Sequence, residues 1–193
     1  MSGAGNVRAR NLRTVAALAA LYVLPLAFAF YLYYGSAWRP LGHVNRGTLI
    51  EPPRPLPALA LPPGGAQAFR GTWTLVAIGD GACDSDCSRA LLVMRQVHLA
   101  LNRDMTRVAR LYIATGHCCG GPLAAPGDGG TAVLAADSPA LAQALQLFPA
   151  AERPHSVFVV DPLGNLMMSY DARTDPRGLL IDLQQLLRLS HIG

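Results

Sequence analysis

The chain has 193 residues, 51% of them hydrophobic and 15% charged, which suits one folded domain with an appendage and excludes a disordered composition. Its net charge of +4 is uneven: six arginines (Arg8, Arg10, Arg13, Arg39, Arg46, Arg54) face Glu51 alone before residue 68, and ten arginines face eleven acids after it. No basic excess is left for the downstream part, which excludes a nucleic-acid-binding role.

The first element is Val15 to Tyr34, VAALAALYVLPLAFAFYLYY, twenty residues without a charge. A helix of that length rises about 30 Å, the thickness of a bilayer's hydrocarbon core. Pro25 falls mid-span, which membrane helices tolerate with a kink. Tyr31, Tyr33, Tyr34 and Trp38 mark an aromatic belt at its end. The run is longer than a signal-peptide core and ends in bulky rings instead of a small-residue cleavage site. It reads as a retained anchor.

Arg8, Arg10 and Arg13 precede the span, and Arg39 and Arg46 follow it. The positive-inside rule then leaves residues 1–14 in the cytoplasm and sends the rest across a bacterial inner membrane. In the periplasm disulfides form and persist.

Residues 35–65 read as a Pro-rich linker, with seven prolines between Arg39 and Gly65. Such a segment is extended and stiff, a spacer. His43 within it reads as a surface residue.

From residue 66 to 193 the pattern is that of a folded domain. Thr72 to Ile78, TWTLVAI, is a buried strand, ended by Gly79 and Gly81. Ser88 to Leu101 carries helical apolar spacing. Val108 to Ala114 is a second strand, followed by a Gly-rich loop from Gly116 to Gly130 and a brief strand at Thr131 to Ala135. Ser138 to Leu147 reads as a helix, with Ser138 as its N-cap and Pro139 at its first position. Val157 to Asp161 and Leu166 to Tyr170 flank the turn Pro162-Leu163-Gly164 as a hairpin. Pro176 to Leu189 closes the domain as a helix. The order implies an α/β fold: a partly parallel sheet of about four strands between helices.

The chemistry centres on GDGACDSDCSRALLVM, Gly79 to Met94. Cys83 and Cys87 stand four apart where a strand turns into a helix. On a helical turn that spacing brings Cβ atoms about 6 Å apart, close to disulfide reach. Three readings stay open: a structural staple, a redox pair, or two thiolates gripping a soft ion such as Cu(I). The helix N-terminus favours thiolate, whereas Asp84 and Asp86 oppose it unless one of them caps the helix.

His155, in RPHSVFVVDP, lies just before the third main strand. If that strand lies beside the first, His155 comes near the cysteine turn, and Cys83, Cys87 and His155 make a three-ligand set. His98 and His191 read as surface helix residues. His117-Cys118-Cys119 leaves three readings open: a second soft-metal site, a disulfide, in which four cysteines allow three connectivities that include pairing with Cys83 or Cys87, or thiols held in reserve.

The anchor, the Pro-rich segment, TWTLVAI, CDSDC and HSVFVVDPLGN together resemble the Sco/SenC group, from about Leu49 onward. The resemblance implies a thioredoxin-like fold behind an N-terminal transmembrane helix. It implies copper held by Cys83, Cys87 and His155. Its partner would be the copper-bearing subunit of cytochrome c oxidase, or another periplasmic thiol protein. Its task would be to deliver copper to that subunit or reduce its cysteines, as an assembly factor and not a turnover enzyme. Pro154 sits about where thioredoxins place their cis-proline. The cysteines' neighbours are Ala82, Asp84, Asp86 and Ser88, where the group's motif carries prolines.

Two other functions fit the residues. A TlpA/ResA-type thiol-disulfide oxidoreductase would have a reactive Cys83 and no metal dependence. A tethered binding module with a stapling disulfide would keep its partner on Cys83→Ser.

Overall fold

The structure, a computed structural model, describes residues 3–35, 45–60, 67–116, 130–135, 139–190 and 192. The chain divides into two units, Met1–His43 and Val44–Gly193.

In the first unit, helix α1 runs from Gly3 to Phe30, with Pro25 inside it. A single wider turn follows over Tyr31–Gly35. The stretch Asn11–Gly35 is long and apolar enough to cross a membrane. Most of its large apolar side chains, Leu18, Leu21, Val23, Leu24, Leu26 and Phe28 among them, are exposed.

The second unit is a six-stranded sheet in the order β1-β8-β7-β4-β5-β6. Its strands are β1 (Thr48–Pro55), β4 (Trp73–Gly79), β5 (Val108–Ala114), β6 (Thr131–Ala135), β7 (Ser156–Val160) and β8 (Asn165–Asp171). A short ribbon, β2 (Leu59–Ala60) with β3 (Gln67–Ala68), stands apart. The β4, β5 and β6 strands run parallel, which needs crossovers. Helix α2 (Ser85–Ala100) makes the first crossover; α3 (Pro139–Leu147) follows β6, and α4 (Pro176–Leu189) closes the chain. Antiparallel pairing of β4 with β7, β7 with β8 and β8 with β1 completes the sheet.

β4 is central and buried on both faces, so its sequence is a continuous apolar run instead of an alternation. Side-chain period two splits the core in two. Trp73, Leu75 and Ala77 meet α2 and α4 through Val93, Met94, Val97, Leu179 and Leu183. Val76 and Ile78 face the opposite layer, with Phe69, Leu141, Phe148 and Phe158. There the Phe148 and Phe158 rings pack edge to face at 5.1 Å.

Two sequence expectations change. The sheet has six strands, because the brief strand expected at Thr131 to Ala135 joins one edge as β6 and the unforeseen β1 joins the other. The segment 35–65, read as a linker, is partly inside the domain. Thr48 and Leu49 pair with Ser169 and Met168, and Arg54 and Pro55 with Leu166 and Asn165. The register breaks between Leu49 and Arg54, where Pro52 and Pro53 sit. An edge strand accommodates proline because one row of its amides needs no partner. Ile50, Leu56 and Leu59 bury their side chains and draw the segment onto the core.

The start of this segment is tied down by one carboxylate. Asp182 of α4, nearly fully buried, accepts the amides of Arg46 at 2.6 Å and Gly47 at 3.2 Å and the Tyr170 hydroxyl at 2.7 Å. A side chain at Gly47 would run into the Tyr170 ring, so the close approach requires glycine. Burial, then the Asp182 bond and charge, push the Tyr170 hydroxyl far above its ordinary range.

Candidate functional site

The cysteine turn is built from the C-terminal end of β4 outward. β4 ends at Gly79, and Asp80 then organises the chain. Its Oδ1 accepts the amides of Ala82 at 3.0 Å and Cys83 at 3.2 Å. Gly81 and Cys83 both take positive φ, 88° and 56°. For cysteine that conformation costs on the order of 1 kcal/mol or more, which the surrounding bonds must offset.

Asp84 then caps α2, its Oδ1 accepting the Cys87 amide at 2.9 Å. The helix therefore begins at Ser85, three residues before the apolar pattern, and Cys87 sits in its first turn. Cys83 and Cys87 are joined as a disulfide with Cα atoms 5.1 Å apart. Both are buried, Cys87 more deeply, at 3% exposure against 9%.

Beneath the disulfide lies Tyr112, from the middle of β5, with no exposed surface. Its oxygen accepts the Gly81 amide at 3.2 Å and lies 3.5 Å from Cys87 Sγ. Cys87 has no S–H in the disulfide, so the hydroxyl is the donor of that contact. Burial, with Gly81 opposing and the Asp80 and Asp84 charges adding, holds this phenol above its ordinary range and keeps its proton. A side chain on Gly79 would overlap the Tyr112 hydroxyl and press on Cys87 Sγ.

A cleft of about 440 Å³ opens beside Cys87, lined also by Gly79, Asp80, Asp84, Thr115, Arg153 and Pro154. Arg153 is held in place by two bonds from its guanidinium to the Phe148 carbonyl, at 3.2 and 2.9 Å. Pro154 lines the same cleft as Cys87. Its peptide bond is trans: the cis bond among the described residues is Glu51–Pro52.

His155 lies at the foot of β7, beside β4 as the sequence order implied. Its carbonyl accepts the Ala172 amide at 2.9 Å, and its imidazole adds to the field on Asp171. Bonds from Arg173, at 2.8 to 3.3 Å, hold the Asp171 carboxyl near a pKa of about 2, with His155 pulling the same way. Arg173 also reaches Asp86 at 3.9 Å. A chain of charges, His155–Asp171–Arg173–Asp86, thus connects the foot of β7 with the first turn of α2. Among the described residues, no three His, Cys, Asp or Glu side chains gather as a metal-holding group.

His98 bonds the carbonyls of Met105 at 3.1 Å and Val108 at 3.0 Å through Nε2, and serves the end of α2. His43, His117, Cys118, Cys119, Ser138 and His191 lie outside the described residues. The sequence reading did not anticipate Tyr112, Arg153 or Arg173. Tyr112 fell within a segment read as a buried strand, and no local signal marked the two arginines. Asp80-Gly81 after an apolar strand was the one local signal of a structured turn.

The chemistry available is that of two sulfurs at a helix N-terminus. The helix dipole favours a thiolate there, the Asp84 and Asp86 charges oppose it, and Arg173 offsets Asp86. Such a pair carries two electrons as disulfide and dithiol, and when reduced it offers soft donors to Cu(I).

Residues 73–190 match the family model for the transmembrane-like, thioredoxin-like C-terminal domain. No curated protein matches the sequence. Among solved structures, apo Sco1 from Thermus thermophilus is similar at 20% identity and a TM-score of 0.55, over 76% of this chain and 99% of that one. Copper-bound yeast Sco1 is similar at 12% identity and a TM-score of 0.53, over 65% of this chain and 87% of that one. A SCO1/SenC family lipoprotein from Bacillus anthracis follows at 13% identity and a TM-score of 0.52, over 72% and 99%. At these identities the likeness is one of fold, and the fold is the one expected from the sequence.

Proposed function

We propose that this chain, which belongs to the transmembrane-like, thioredoxin-like C-terminal domain family, is a membrane-anchored thiol protein that handles copper for cytochrome c oxidase assembly. Its anchor is α1, in a bacterial inner membrane, with the N-terminus in the cytoplasm and the folded unit in the periplasm. The observation that carries the reading is the Cys83–Cys87 pair, within bonding distance at the N-terminus of α2 and beside a cleft. That pair lies on the fold of Sco1, whose yeast structure has been solved with copper bound.

When the disulfide takes up two electrons and two protons, it becomes two thiols. Losing those protons, the sulfurs bind Cu(I) as cargo. His155 is the third donor. The described residues do not gather the three in the disulfide form, so in this reading His155 joins after the pair is reduced. The cargo's destination is the copper-bearing oxidase subunit.

A second reading is favoured by the bonded state of the pair. Here the protein is a thiol-disulfide oxidoreductase. Its dithiol passes two electrons and two protons to a disulfide in a partner and returns to Cys83–Cys87. Titration of the reduced chain with Cu(I) against a competing chelator separates the readings. Stoichiometric retention lost in Cys83→Ser supports copper handling; no retention leaves the oxidoreductase.

A further inference from the structure

We propose that Tyr112 is the positioning residue for Cys87: its buried hydroxyl donates to the Cys87 thiolate when the disulfide opens. The inference rests on the reading of Cys83–Cys87 as a working pair, and goes beyond it by naming the group that sets the pair's poise.

Three observations carry it. The hydroxyl lies 3.5 Å from Cys87 Sγ, and neither group has more than slight exposure, so water does not compete. Its oxygen is already occupied by the Gly81 amide at 3.2 Å, which leaves the proton directed elsewhere. Gly79 alone leaves room for the approach, because any side chain there would overlap the hydroxyl. Other charged groups face Cys87: Asp80 and Asp84 line the same cleft and Asp86 lies on its own helix turn, all acidic. Arg153 lines the cleft but is committed to the Phe148 carbonyl, and Arg173 to Asp171 and Asp86. Against three carboxylates, the donor at contact distance from the buried sulfur is the Tyr112 hydroxyl.

A disulfide sulfur is a weak acceptor and a thiolate a strong one. In the balanced step, a dithiol reductant gives two electrons and is itself oxidised to a disulfide. The Cys83–Cys87 bond breaks, Cys83 takes one of the reductant's two thiol protons, the other goes to solvent, and Cys87 leaves as thiolate under the Tyr112 O–H. The bond gains strength only in the reduced form, so it raises the reduction potential and increases the thiolate available at neutral pH.

The test uses the full chain in detergent micelles, reduced, with alkylation followed at each cysteine by peptide mass. A bond to a charged acceptor is strong enough that Tyr112→Phe should raise the pH midpoint of Cys87 alkylation by about one unit. Equilibration with a dithiothreitol couple should shift about tenfold toward the disulfide, about 30 mV. Tyr170→Phe, which also loses a buried hydroxyl, should leave both values at wild type. Values in Tyr112→Phe equal to wild type overturn the inference and leave the working pair intact. A Cys87 inert to alkylation in the reduced wild-type chain overturns both. If Tyr112→Phe does not fold, tyrosine labelled with 13C at Cζ decides in wild type. One tyrosine signal should move through the Cys87 midpoint and stay still in Cys87→Ser; no moving signal overturns the inference.

Discussion

Asp84 holds the amide of Cys87 at 2.9 Å, and this one bond fixes both the start of helix α2 and the place of the second sulfur within it. The capping residue is thus also a negative charge beside a candidate thiolate. Its two effects separate by substitution. Asp84→Ala removes the cap and should cost about 1 kcal/mol in urea unfolding of the oxidised chain. Asp84→Asn keeps a capping oxygen and should stay within a few tenths of a kcal/mol of wild type. In the reduced chain it should speed Cys87 alkylation at pH 7, because a charge that opposes the thiolate is gone. Alkylation at the wild-type rate would mean that the carboxylate's field does not reach the sulfur.

Gly79→Ala places a methyl group against the Tyr112 hydroxyl and Cys87 Sγ at the end of the central strand. Overpacking there should destabilise the fold by about 1–3 kcal/mol. The loss, read from urea midpoints, should shrink in Gly79→Ala/Tyr112→Phe, which removes the overlapped oxygen. Additive losses would place the clash elsewhere.

The Asp171–Arg173 pair makes stability depend on acid. Asp171 is held near a pKa of about 2 when folded, below the unfolded carboxylate value of about 3.9. A depressed pKa contributes stability that is complete above the unfolded value and is lost as pH falls toward the folded one. Arg173→Gln should therefore be less stable than wild type at pH 6, and the gap should narrow between about pH 4 and pH 2. Urea midpoints at pH 6, 4 and 2.5 check this; a gap that stays constant would deny the pair its role.

The clamp on Asp182 predicts where the domain begins. A fragment of residues 44–193 keeps β1 and the amides of Arg46 and Gly47 on Asp182. A fragment of residues 66–193 loses them and uncovers the surface beneath Ile50, Leu56 and Leu59. The longer fragment should unfold cooperatively, whereas the shorter should unfold at lower urea or aggregate. In the longer one, Asp182→Ala strands three donors and should cost about 2–4 kcal/mol. Equal urea midpoints for the two fragments would mean that β1 adds nothing to the fold.

How far the sequence could be read follows from how local each signal is. The apolar span, the central strand TWTLVAI, the β7–β8 hairpin and α4 declare themselves within a few residues, and the structure has them where expected. The cysteine pair did so as well, since four-residue spacing at a helix start already brings sulfurs within reach. β1 was not legible, because its prolines read as polyproline spacer and only its pairing with β8 makes it a strand. The early start of α2 depends on a cap that apolar periodicity does not register. Tyr112 carries no local sign of its role: that comes from a parallel pairing which brings the middle of β5 under the turn after β4. Arg173 and Arg153 are likewise placed by chain segments far from the cysteines.

A single titration decides whether Cys83 and Cys87 are working sulfurs for copper. The full-length chain, reduced and in detergent, is titrated with Cu(I) in the presence of bicinchoninate, with Cys83→Ser, Cys87→Ser and His155→Ala alongside. The account predicts stoichiometric copper withheld from the chelator, lost in either serine variant and weakened in His155→Ala. Copper left entirely with the chelator, or held equally well by Cys83→Ser, would contradict it.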